Sequence, residues 1–204
     1  RRPKAAPMPN ALVWFRHDLR LDDNPALRAA LDQGFTPVPV YVHAPQEEGE
    51  WSPGAASLAW LHRSLATLDA DLRARGSRLL LREGPSAPAL QALVEQTGAV
   101  AVFWNRKYEP ATQPRDASLK KGLREQGLQV ESFNGCLLFE PWDLATQQGG
   151  PYKAFTPFWR PALAQWRAPA TWDAPGALPA FEDALAGESL PAWRLAPALG
   201  WDAG

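Results

Sequence analysis

Three stretches of this sequence set polar and titratable residues directly after apolar runs. Arg16, His17 and Asp18 follow "ALVWF". His43 follows "VPVYV" and leads to Glu47, Glu48 and Trp51. Asn105, Arg106, Lys107, Tyr108 and Glu109 follow or close "AVAVFW". These side chains supply cationic donors, carboxylate acceptors and an amide that does both, the chemistry of holding a ligand by hydrogen bonds. They do not assemble a nucleophile beside a base, and no G-x-S-x-G elbow occurs. Neither G-x-G-x-x-G nor G-x-x-x-x-G-K-[ST] is present, so no glycine-built phosphate cradle exists. One Cys and three dispersed His give no zinc-ligand spacing, and no metal is expected. Binding is therefore better supported than catalysis. A structural reading stands beside it: Arg16 and Asp18 can pair with neighbouring loops, and His43 can be a satisfied core histidine.

The elements that must position these residues alternate. Short β-rich runs at 11–15, 38–42, 78–82, 99–104 and 128–133 are separated by helical patterns. Asn24 before Pro25 suits an N-cap with Pro at the first helical position, and Gly34 suits the stop. Ser52-Pro53 opens the longest helix, with Leu58, Leu61, Leu65, Leu68 and Leu72 at spacings of three and four and Gly76 at its end. Ser86 suits the cap of a third helix ending at Gly98, and Pro114 to Gly127 a fourth. Strand and helix in alternation predict an α/β fold, a Rossmann-like doubly wound five-stranded parallel sheet in the order 3-2-1-4-5. Ligands of such sheets sit outside the carboxyl ends of the strands, where the three polar stretches fall.

The 204 residues suffice for one substantial core, and the formal net charge of -1 argues against a chain-wide nucleic-acid footprint. Lys120, Lys121 and Arg124 read as a solvated helix face. Cys136, beside Leu137, Leu138 and Phe139, reads as a buried structural thiol. Most of the 10 Trp read as packing residues. No apolar run is long enough to span a bilayer, so no membrane partner is expected and the setting is cytoplasmic. Residues 1–10 read as a disordered leader and 11–167 as the α/β domain, with a short helix near 157–167. Residues 168–204, rich in Ala and Pro, read as a C-terminal linker with one helical turn around Phe181 to Ala186. Such an ending implies a missing downstream domain.

"VWFRHDLRLDDNPAL" resembles the opening of the DNA photolyase and cryptochrome family. "WSPGAASLAWLHRSL", "FWNRKYEPATQPRD", "LLFEPWDL" and "GGPYKAFTPFWR" agree in the same order, and "LGWDAG" is similar to the segment preceding the family's flavin domain. The resemblance implies a light-harvesting α/β domain that holds an antenna chromophore. In the family this chromophore passes excitation to FAD in a following helical domain, where a pyrimidine dimer in damaged DNA is split. It implies that the parent protein is a DNA photolyase and that this chain alone is inactive, a monomer whose partners are its own FAD-binding domain and, through it, damaged DNA. The alternatives are a cryptochrome photoreceptor's antenna domain, a nucleotide-binding α/β module without photochemistry, and an interaction protein with a Trp-rich docking tail.

For the chromophore, the resemblance implies a reduced folate such as methenyltetrahydrofolate, or a flavin. One folate mode uses a His and an Asn-Glu pair, where this sequence has Gly49, Ala111 and Thr112; a second uses a Glu that matches Glu109. Deazaflavin is less favoured, because Leu58 and Lys107 stand where its binders have Arg and Asp. The resulting site is Glu109 as an acceptor for ring N–H or amino donors, with Asn105 and Tyr108 orienting the ring or its loop. Arg16, Asp18 and His43 either touch the chromophore or hold the loops together.

Overall fold

A computed structural model of the chain describes residues 8–50, 52–146, 148–181 and 185–196. Strands β1 (Asn10–Phe15), β2 (Thr36–His43), β3 (Leu80–Glu83), β4 (Ala101–Asn105) and β5 (Gln129–Phe133) form one parallel sheet in the order β3-β2-β1-β4-β5. Helices α1 (Pro25–Asp32), α2 (Ala55–Ala74), α3 (Ser86–Thr97) and α4 (Thr112–Glu125) alternate with the strands, and α5 (Phe155–Gln165) follows. The predicted sheet and strand order are the observed ones.

Alternation along the strands sorts the core into two layers. Ala11, Val13 and Phe15 of β1 join Ala26, Leu27 and Ala30 of α1 and Leu65, Leu68 and Leu72 of α2 on one face. Leu12 and Trp14 join Leu90, Leu93 and Val94 of α3 and Leu119 and Leu123 of α4 on the other. Burying each such leucine contributes roughly 1.5–3 kcal/mol, which is why the leucine stripe of α2 is decisive. Its first members, Leu58 and Leu61, are only half-buried. There α2 runs past the sheet, and Leu61 becomes a wall of a cleft.

β2 tolerates Pro37 and Pro39 inside the sheet for a reason of register. Thr36 N–H donates to the carbonyl of Pro9 at 2.9 Å, so Thr36 points its backbone polar groups toward the β1 side. Odd-numbered residues then point toward the β3 side, where pairing begins only at Val40 opposite Leu80. The missing proline donors are thus not required by any ladder bond.

Asn24 caps α1 as expected, accepting from Leu27 N–H at 3.1 Å. Ser86 does not cap α3; it is the first helical residue. Glu47 does that work from a distance, accepting from Ser86 N–H at 2.8 Å and Ser86 Oγ at 2.6 Å. A carboxylate at the exposed amides of a helix start is favoured over a neutral hydroxyl.

Other expectations need correction. Cys136 is exposed, because β5 ends at Phe133 and an Asn134 turn, accepting from Cys136 and Leu137 N–H, carries the thiol out of the core. Local apolarity did not bury it; Leu138 is exposed as well. Of the described tryptophans only Trp14 and Trp104 are buried, while Trp60, Trp142, Trp159, Trp166 and Trp172 are exposed. The basic face of α4 is only partly solvated: Lys120 Nζ donates to Ser132 Oγ and Arg124 to the carbonyl of Val130, while Lys121 stays exposed.

β1 begins at Asn10, inside the stretch read as a leader, and residues 1–7 lie outside the described residues. Among its described residues the stretch after α5 carries one short 3₁₀ turn, Leu190–Trp193, and it lies on the domain. Leu178, Phe181 and Leu195 are buried, Leu178 N–H donates to the carbonyl of Arg75, and Glu188 N–H to that of Leu81. The helical turn expected around Phe181 to Ala186 falls largely on 182–184, and "LGWDAG" on 199–204, outside the described residues. Among the described residues no helix is long and apolar enough to cross a membrane.

Candidate functional site

The carboxyl ends of the strands open into two adjoining clefts. The larger, about 500 Å³, lies over β1 and β2 and against the first turns of α2; Trp14, Arg16, Tyr41, His43, Trp60 and Lys107 are among its walls. That volume suits a small aromatic ligand, whose pockets run roughly 300–1,000 Å³. The smaller, about 360 Å³, lies over the ends of β1, β4 and β5 and holds Asp18, Asn105, Tyr108, Glu109 and Cys136. The six residues named from the sequence therefore divide: Arg16 and His43 face the first cleft, and Asp18, Asn105, Tyr108 and Glu109 the second. Trp51 lies outside the described residues.

Between the clefts runs a buried network that fixes the strand ends. Arg16 donates to Asp116 Oδ2 at 2.5 Å and to the carbonyl of Asn105, tying β1 to β4 and α4. Asp18 accepts from Arg16 N–H at 2.9 Å, Asn105 Nδ2 at 2.6 Å and Asn24 Nδ2 at 3.2 Å. Asn105 also accepts from Ala26 N–H at 3.2 Å. Asp18 and Asn105 are thus occupied in holding loops. Gly135 is required beside them, since a Cβ there would lie 2.7 Å from the Asn105 Cβ. Burial pushes the Arg16 guanidinium below its ordinary value, opposed by Asp116.

Glu109 stands at the start of α4, its carbonyl accepting from Thr112 and Gln113 N–H. Burial pushes its carboxyl up, but its own backbone N–H and Lys107 outweigh this and hold it below the usual range. Its carboxylate lies 3.7 Å from His17 Nδ1. Burial, then Lys107, lowers His17, so the pair is not ionic at neutral pH and Lys107 is the cation that matters to Glu109. Tyr108 donates to Glu140 Oε2 at 2.9 Å, and Arg106 pairs with the same carboxylate.

His43 is buried and stacks on Trp193, with centroids 5.2 Å apart at 27°. Burial lowers its pKa from the ordinary 6.5, opposed by Glu83. The folded state thus prefers the neutral ring. Its contribution to stability is complete above pH 6.5 and is lost as pH falls below that value. His43→Phe keeps the stack and removes the titration, so its melting temperature is expected to fall less than the wild type's on acidification from pH 7 to about pH 5. Equal falls in thermal melts of the two proteins would show that His43 carries none of the acid sensitivity.

What the sequence reading missed lies in the first cleft. Trp14 Nε1 and Arg16 Nε are buried with no hydrogen-bond partner among the described residues. The Arg16 and Arg115 guanidiniums lie 4.7 and 5.5 Å from the Trp14 ring centroid. Three of the cleft's cations are paired with carboxylates: Arg16 with Asp116, Arg115 with Glu47 and Asp116, and Lys107 with Glu48. Glu47 also occupies the start of α3. None of these three cations is left without a carboxylate partner. No periodicity marks Trp14 as anything but core; the leucines of α2 that outrun the sheet were the available signal for that wall.

The DNA photolyase family profile matches residues 11–177, which include both clefts. The chain belongs to the DNA photolyase family. It is the N-terminal antenna-type α/β domain of that photolyase and cryptochrome family. It is 43% identical over 194 residues to the deoxyribodipyrimidine photo-lyase of Agrobacterium fabrum (strain C58 / ATCC 33970), spanning 95% of this chain and 39% of that protein. Cryptochrome-2 of Arabidopsis thaliana is 42% identical over 153 residues, 74% of this chain and 25% of that protein. The crystal structure of a bacterial class III photolyase from Agrobacterium tumefaciens superposes with a TM-score of 0.88 at 41% identity, covering 97% of this chain and 40% of that one. The chain thus spans about two fifths of the length of the photolyases it matches.

Proposed function

We propose that the first cleft holds an aromatic light-absorbing chromophore and that the domain is the light-harvesting antenna of a blue-light DNA photolyase. The observation that carries this is a cleft of about 500 Å³ at the carboxyl ends of β1 and β2, floored by Trp14 and walled by Tyr41, His43 and Trp60. A flavin or reduced folate presents ring carbonyl and ring nitrogen acceptors on a flat apolar body, which fits such a floor. When bound, it supplies absorption of near-ultraviolet or blue light. The chain's own residues bind it: Trp14 and Arg16 line the floor, Trp60 and Tyr41 flank, and His43, kept neutral, leaves the cleft without an added charge. Glu109 is the acceptor of the second cleft, for any part of a ligand that reaches it. Deazaflavin is less favoured, with Leu58 and Lys107 in place of the Arg and Asp that the resemblance implies.

The reading of a nucleotide-binding module without photochemistry is disfavoured by the carboxylate already seated at the start of α3. A cryptochrome would share the same antenna, as the identity to Cryptochrome-2 allows. FAD, damaged DNA and dimer repair belong, on this reading, to the part of such proteins beyond this chain.

The test is optical. Incubated with FMN, FAD or methenyltetrahydrofolate and passed over a sizing column, the chain is expected to carry a near-ultraviolet or blue absorption band with it. Elution without any of them would reject the antenna reading. With FAD, reductant, dimer-containing DNA and blue light, the chain alone is expected to repair nothing; repair would show that this domain is more than an antenna.

A further inference from the structure

Three residues line both clefts: His17, Arg20 and Lys107. They form the ridge between them, and they are not equivalent. The His17 side chain is 68% exposed. Arg20 is turned onto the carbonyls of Asp23 and Gly135, both at 2.9 Å. Lys107 alone is buried, its side chain 5% exposed, with Nζ 2.8 and 2.7 Å from the two carboxylate oxygens of Glu48. Lys107 follows β4 and Glu48 follows β2, while β1 lies between those strands. The ion pair therefore crosses over the end of β1, along the line that divides the clefts.

We propose that the Lys107–Glu48 ion pair is a size-selecting partition, which confines a single ring system to the first cleft and bars an elongated chromophore from the Glu109 cleft. This rests on the reading that the first cleft binds the chromophore. A flavin mononucleotide or monoglutamyl folate is largely ring, and about 500 Å³ suits it. A flavin dinucleotide or polyglutamyl folate needs further room, and the 360 Å³ cleft adjoins across His17, Arg20 and Lys107. That cleft already holds a half-exposed acceptor in Glu109 and an exposed thiol in Cys136, so it is polar enough to receive an extension carrying N–H or O–H groups.

Lys107→Met alone would leave Glu48 partly buried without its counter-charge, which destabilises. Lys107→Ala with Glu48→Ala removes both charges and the side chains that span the ridge, and thermal melts identify the variant that folds. Fluorescence titrations use a short and a long probe of each class: FMN and FAD, and the mono- and pentaglutamyl forms of methenyltetrahydrofolate. In the class that binds, the ratio of long-probe to short-probe affinity is expected to rise about tenfold or more in the double variant. Adding Glu109→Gln, which removes a negative charge facing these anionic extensions, is expected to raise the ratio further. An unchanged ratio in a folded double variant that still binds the short probe overturns the partition and leaves the cleft reading standing. A wild-type chain that binds neither short probe overturns both.

Discussion

Arg16→Met is expected to cost the folded domain about 3 kcal/mol, the lower end of the range for breaking a buried ion pair. The guanidinium is almost wholly enclosed and bonds Asp116 and the carbonyl of Asn105. Removing it strands that carbonyl and takes one of two cations from Asp116; Arg115, at 2.7 Å, remains and keeps the loss from being larger. It also removes the cation 4.7 Å from the Trp14 ring centroid. Against a typical total of 5–15 kcal/mol, about 3 kcal/mol is a large fraction. Urea unfolding should show a lower midpoint with an unchanged slope. Arg16→Lys should recover only part of the loss, because an ammonium lacks the fork that reaches two acceptors in different directions. A loss below about 1 kcal/mol would show that the pair is dispensable.

The second large effect is on binding. Ser64 lies on α2, half-buried, with its side chain on the wall of the first cleft. Ser64→Trp would place an indole in the space that the proposed ring occupies. Affinity for FMN or methenyltetrahydrofolate, whichever the wild type binds, should fall at least about a hundredfold, or about 2.8 kcal/mol. Stability should change by only about 0.5 kcal/mol, since the position faces open space rather than core. Affinity within threefold of wild type, in a protein with an unaltered melt, would move the chromophore out of this cleft.

The two clefts show where reading the sequence succeeds and where it stops. That polar residues gather at the carboxyl ends of β1, β2 and β4 follows from local patterns: each apolar run ends, and the chain must leave the sheet there. Which of those residues share a cleft does not follow. Glu109 is only two positions past Lys107, yet the turn into α4 carries it to the far side of the ridge. Arg16 and Asp18 are also two apart, and they face different clefts because one points to α4 and the other to α1. Trp14 looks like any strand tryptophan. Only the folded chain sets the Arg16 and Arg115 guanidiniums against its ring.

By itself the sequence determined the alternating strands and helices and the capping of α1 by Asn24, because these depend on side-chain period and backbone preferences within a few residues; the strand order followed from the crossover rule for such an alternation. The five ordered motifs also carried the family. Tertiary structure alone decided the Glu47 cap on α3, the exposure of Cys136, the packing of the Ala- and Pro-rich segment on the domain, and the Lys107–Glu48 bridge over β1. Each of these joins or separates residues distant along the chain. Charge pairing and burial act through space, and the parallel order that interleaves β1 between β2 and β4 sets the distances over which they act.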